Sequence, residues 1–156
     1  MAQEAERPTV ERTSTALPPW QAGTVGGIVG AIVFGALMAL QTPGVLEMAI
    51  PSMYGLEGGL AGMVIHVSHG AVLGVVFAAL LVGTGRRDLR PGRATVAGLA
   101  YGIAVWAVLA VVVMPIWLSA VGFEMGPSVP NVALESLVGH AAYGIILGLA
   151  YAGLAR

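Results

Sequence analysis

Three histidines, His66, His69 and His140, stand inside long stretches that otherwise carry no charge. Imidazole changes charge closest to neutral pH and, as the neutral ring, is a common metal and haem ligand. An ionisable group within an apolar span is costly, so it marks a site where something is bound or relayed. The plainer alternative is a neutral ring hydrogen-bonded to a main-chain carbonyl or to Ser68 or Ser136. His66, Gly70 and Gly74 are four residues apart, as are His140, Gly144 and Gly148. On a helix each set forms one stripe. Glycines at this spacing let helix backbones approach closely in lipid, the GxxxG device. Gly70, Gly74, Gly144 and Gly148 are therefore expected packing positions, and the histidines on their stripes are expected to face the interior. Leu73 and Leu147 fall off the stripes and are expected to be less tightly packed. Gly26/Gly30 and Gly98/Gly102 show the same spacing.

Glu57 and Glu135 stand just ahead of the two histidine stretches and join His66, His69 and His140 as binding or relay candidates. Three chemistries fit these residue types. One is a relay for protons or a small solute. Another is haem b held between His66 and His140, since two histidines on facing helices of a four-helix bundle can ligate iron from both sides. The last is a metal site, with carboxylates suiting hard ions and Met48, Met53, Met63, Met114 or Met125 suiting copper(I). The spacing selects no particular metal. No catalytic residue is assigned, because no phosphate loop, nucleophile elbow, H-E-x-x-H or dinucleotide fingerprint occurs. The chain has no cysteine, which excludes disulfides and thiolate chemistry.

These residues must be positioned by apolar elements. Of 156 residues, 57% are hydrophobic and only 10% charged, and mean hydropathy is +0.87. A soluble domain is about 25% charged, so a soluble enzyme is excluded. A net charge of −1 lacks the basic excess of a nucleic-acid footprint. Four windows lack Asp, Glu, Lys and Arg: 13–46, 58–85, 94–123 and 136–155. A transmembrane helix needs roughly 20 apolar residues, which places spans near 22–42, 60–83, 95–117 and 135–155. None alternates polar and apolar residues as barrel strands do. Pro115 is expected to kink or end the third span and free a carbonyl.

Spans one and three align at a shift of 71, with Thr24/Thr95, Val25/Val96, Gly27/Gly98 and Ile32/Ile103 coinciding. Spans two and four align at a shift of 74, with His66/His140, Gly70/Gly144, Gly74/Gly148, Phe77/Tyr151 and Ala78/Ala152. The shared His-x3-Gly-x3-Gly-x2-aromatic pattern predicts duplication of a helical hairpin. A two-span unit keeps its orientation when copied, so the halves are parallel repeats about an axis along the membrane normal. The expected fold is an all-α polytopic membrane protein, with four transmembrane helices from two parallel-oriented helical-hairpin repeats. Its parts are a disordered cytoplasmic tail at 1–20, a first hairpin at 21–85, an arginine-rich cytoplasmic loop at 86–93 and a second hairpin at 94–156.

All seven basic residues are arginines. Arg86, Arg87, Arg90 and Arg93 crowd the middle loop, Arg7 and Arg12 precede the first span, and Arg156 ends the chain. Positive charge marks the cytoplasmic side, which predicts a multi-pass protein of the cell membrane with both termini cytoplasmic. The histidine–glycine pattern in four spans, with the arginine-rich middle loop, resembles several families of small uncharacterised prokaryotic integral membrane proteins. That resemblance implies a four-helix fold and no particular activity. The expected role is non-enzymatic: an interior histidine site open to the outer side, serving as a solute or proton pathway or within a subunit of a membrane complex. The alternative is a haem-b-binding electron-transfer or oxidase-associated subunit. The lipid bilayer is the expected surrounding, with copies of the chain or other membrane subunits as partners and no nucleic acid.

Overall fold

The structure, a computed structural model, describes residues 16–155. Most of the expected tail, with Arg7 and Arg12, lies outside the described residues, as does Arg156. The described chain is all-helical, and four helices are long and apolar enough to cross a membrane. Helix α1 spans Pro19–Gln41. A π-helical turn, π1 (Val45–Ala49), leads into the short α2 (Ile50–Ser52). Helix α3 spans Gly59–Gly83. The third long helix is continuous over Pro91–Ala120. It comprises α4 (Pro91–Val105), a π-helical segment π2 (Trp106–Val113) and α5 (Met114–Ala120). Helix α6 spans Leu134–Leu154. Pro19 and Pro91 open their helices at the first turn, where no amide hydrogen bond is lost.

Pro115 does not end its helix. In π2 the hydrogen bonds lengthen by one residue, and the Met114 N–H reaches the Leu109 carbonyl. The Val111 carbonyl, which Pro115 cannot satisfy, accepts the Asn131 N–H at 2.9 Å from the following loop. Pro51 is handled the same way. The Ile50 N–H reaches Val45, and the Glu47 carbonyl accepts the Gly58 N–H at 3.0 Å. Each proline therefore ties a loop back onto a helix through the carbonyl it leaves free.

The long helices pack in the order α3, α1, α6, α4. Glycines explain the close seams. A Cβ on Gly27 would overlap the Gly70 carbonyl, and one on Gly74 would overlap that of Gly23. Between α4 and α6, a Cβ on Gly98 would overlap the Gly144 carbonyl, and one on Gly148 that of Ala94. Gly26 and Gly30 bring α1 against Leu147 and Tyr143 of α6. Because α6 is covered by both α1 and α4, Leu147 is fully buried, contrary to the expectation from its place off the glycine stripe. Leu73 on α3 is only half-buried.

The fourth edge, between α3 and α4, is different. These helices make almost no backbone approach. Tyr101 of α4 spans the gap instead. Its hydroxyl donates to the Leu73 carbonyl at 2.8 Å, and its ring lies 5.3 Å from that of Phe77. Tyr143 of α6 reaches the same helix from the interior, donating to the Gly70 carbonyl at 2.8 Å. Above these tyrosines, toward the loops at 42–58 and 121–133, the edge stays open.

Candidate functional site

The open edge leads into a cavity of about 360 Å³ lined by all three histidines. His66 and His69 come from α3 and His140 from α6. The rings of His66 and His140 are organised by one aromatic side chain that sequence reasoning missed. Phe34 of α1 packs edge-on to His66, with centroids 5.0 Å apart, and to His140, at 4.7 Å. Phe34 is itself buried, and its ring occupies the space a Cβ on Gly139 would need. A phenylalanine in an apolar helix carries no signal of this role. Only the crossing of α1 between the histidine helices creates it.

The matched histidines bond differently. His66 Nε2–H donates across the seam to the Ala31 carbonyl at 3.1 Å. His140 Nδ1–H donates within its own helix to the Ser136 carbonyl at 2.8 Å. A carbonyl only accepts, so each ring must supply the proton in that bond. His69 Nε2 is hydrogen-bonded to the Tyr54 hydroxyl at 2.6 Å. Tyr54 follows α2, and its ring also lies 5.4 Å from Trp117 of α5. One tyrosine thus touches both sides of the open edge. Nothing in the sequence around Tyr54 distinguishes it from an ordinary loop aromatic.

A second cavity, of about 440 Å³, adjoins the first toward the loop end. Phe34, Met38, Met114 and Ser136 line both and form the wall between them. Glu135 lines this second cavity, with Gln41 and Asn131, and does not line the histidine cavity. Glu57 lies exposed in the turn before α3 and lines neither. The structure therefore brings the three histidines together, sets Glu135 next door and leaves Glu57 apart. Gly70 lines the histidine cavity while packing on α1. Gly74, Gly144 and Gly148 lie in the seams.

The donor set does not fit a porphyrin between His66 and His140. Phe34 stands between the two rings, and the Nε2 of His66 is turned to a carbonyl. Among the described residues no group of three or more metal-binding His, Cys, Asp or Glu side chains converges. Met38 and Met114 serve as wall, consistent with a flexible gap-filler. The arrangement can accept hydrogen bonds in an apolar chamber that opens at the side and adjoins a more polar cavity across a shared wall. A scan against protein-family models, a search of curated proteins and a search of solved structures each return no match.

Proposed function

We propose that the chain is a four-span integral membrane protein with both termini cytoplasmic, built from two hairpins of common origin. Its working part is the histidine cavity, reached from the outer side through the vestibule beside Glu135. It carries a proton or small solute, alone or as a subunit of a larger membrane complex. The observation that carries this reading is the convergence of His66, His69 and His140 on one chamber well inside apolar helices. Side chains such as Leu40 and Leu60 are over 80% exposed on these helices, which supports a lipid rather than an aqueous surround.

The duplication is supported by matched contacts. Gly27 meets Gly70 as Gly98 meets Gly144, and Gly74 meets Gly23 as Gly148 meets Ala94. The matched aromatics Phe77 and Tyr151 meet each other at 5.7 Å, edge to face, as residues near a twofold axis do. One mismatch has a consequence. At the shift of 71, Gly30 corresponds to Tyr101. Gly30 lets α1 approach α6, whereas Tyr101 props α3 away from α4. The two halves differ at this place, and the histidine cavity lies beside the edge where they differ.

Cysteine accessibility tests the reading, and the chain has no native cysteine to remove. In intact cells, Ser128→Cys in the outer loop and Ser136→Cys in the cavity wall should react with a small impermeant methanethiosulfonate. Thr84→Cys should react only after permeabilisation. Reaction at Thr84→Cys in intact cells would overturn the orientation. Silence at Ser136→Cys beside a reactive Ser128→Cys would overturn access from the outer side.

A further inference from the structure

The hydrogen-bond ledger of the histidines restricts what can occupy their cavity. A neutral imidazole has one donor and one acceptor nitrogen. His66 and His140 both spend the donor on a main-chain carbonyl. Their remaining nitrogens, His66 Nδ1 and His140 Nε2, make no hydrogen bond among the described residues. No Asp, Glu, Lys or Arg side chain lines this cavity, so no acidic partner there holds a second proton on either ring. Tyr143, which also lines it, has its hydroxyl proton committed to Gly70. His66 and His140 therefore offer a pair of acceptors to an occupant, while the donors on the wall are the Ser136 hydroxyl and the Trp117 indole N–H. Against the two imidazole nitrogens a carbonyl oxygen or an anion would meet lone pair with lone pair, whereas an O–H group is matched.

The remaining surface defines the body of that occupant. Phe34, Tyr143 and Trp117 supply ring faces and edges, and the other lining residues are mostly aliphatic. The volume of about 360 Å³ lies at the lower end of small-molecule sites, which run from about 300 to 1,000 Å³. The mouth between α3 and the third long helix is edged by Val72, Leu109, Val113 and Trp117, all exposed. An opening rimmed with valine and leucine at mid-helix admits molecules from lipid rather than from water.

We propose that the cavity binds a membrane-soluble phenol or hydroquinone, whose hydroxyl donates to His66 Nδ1 or His140 Nε2 and whose ring packs among Phe34, Tyr143 and Trp117. This rests on the reading that the cavity lies at membrane depth, and it names the class of molecule held there.

The test uses para-octylphenol and its methyl ether, which differ only in the hydroxyl proton, added to the full chain in detergent. Binding is read by thermal shift and by NMR of isotope-labelled histidine ring nitrogens. The phenol is expected to bind saturably and to move an unprotonated ring-nitrogen signal toward the protonated range. The ether should bind about three- to tenfold more weakly, the worth of one hydrogen bond, and should leave the nitrogen signals unmoved. Filling the mouth with Val72→Trp should weaken the phenol without touching either histidine. Equal binding of phenol and ether, with no nitrogen shift, would overturn donor recognition while leaving the cavity's role intact. No binding of either, with Ser136→Cys still reactive from outside, would overturn this inference alone. No binding together with a silent Ser136→Cys would bring down both.

Discussion

Replacing Gly144 with alanine tests the glycine seams most directly. The new Cβ would overlap the Gly98 carbonyl oxygen and lie 2.8 Å from its carbon and 3.1 Å from the Gly102 Cα. All three are main-chain atoms, so no side-chain rotation relieves the clash. Helix α4 must move away by roughly half an ångström or more, since carbon atoms rest about 3.5–4.0 Å apart. A gap of that size forfeits about a quarter to a half of each dispersion contact along the seam. Inserted methyl groups in packed interiors cost about 1–3 kcal/mol. Alanine returns up to about 1 kcal/mol of helix propensity. The net expectation is a loss of about 1–2 kcal/mol. Gly153, near the end of the same helix, has nothing within 4 Å of its Cβ position. Gly153→Ala should be neutral or stabilising by up to about 0.5–1 kcal/mol. Reversible unfolding in mixed micelles, followed by circular dichroism against the fraction of denaturing detergent, gives both numbers. Equal stability of the two variants would refute the claim that Gly144 lies in a backbone-to-backbone seam.

Three further outcomes follow from single contacts. Gly139→Ala should destabilise by displacing the Phe34 ring, and Phe34→Ala should cost about 3–5 kcal/mol as a large core truncation. The double variant should be less than additive in the same unfolding assay, because the new methyl enters vacated space. Pro115→Ala restores an N–H that competes for the Val111 carbonyl, so hydrogen exchange at the Asn131 amide should accelerate while exchange near Gly70 is unchanged. Tyr101→Phe removes the hydroxyl donated to Leu73 and should cost about 1 kcal/mol. Tyr101→Gly should instead let α3 approach α4, and paired cysteines at Leu73 and Ala97 should then cross-link faster than with Tyr101 in place.

How much of this was legible in the residues alone depended on range. The four long helices were readable because charge is excluded from stretches of about 20 residues, a local property of composition. The third helix matches its expected span to within a few residues, but its unbroken course through Pro115 was not readable. Whether a proline ends a helix depends on whether its orphaned carbonyl finds another donor, and that donor, Asn131, lies 20 positions from Val111. The glycine stripes on α3 and α6 were readable as faces, because spacing of four is a helical period. Their partners were not, and Gly23 with Gly27 was passed over in favour of Gly26 with Gly30. Helix α1 presents both pairs, one to α3 and one to α6, since it packs between them.

The candidate site divides the same way. Sequence singled out the histidines because an imidazole in an apolar span is costly wherever it points. It could not say that Phe34 would lie between two of them, that Tyr54 would reach back to His69, or that Glu57 would stay outside. Those facts depend on helix crossings and on a turn folding over the edge of the bundle. The cavity lies beside the α3–α4 edge, where no glycine seam forms and Tyr101 bridges to the Leu73 carbonyl instead. Composition and period determine which segments are helices and which faces are smooth. Which smooth faces meet, and which edge is left open, is decided by side-chain volume at contacts between segments far apart in the chain.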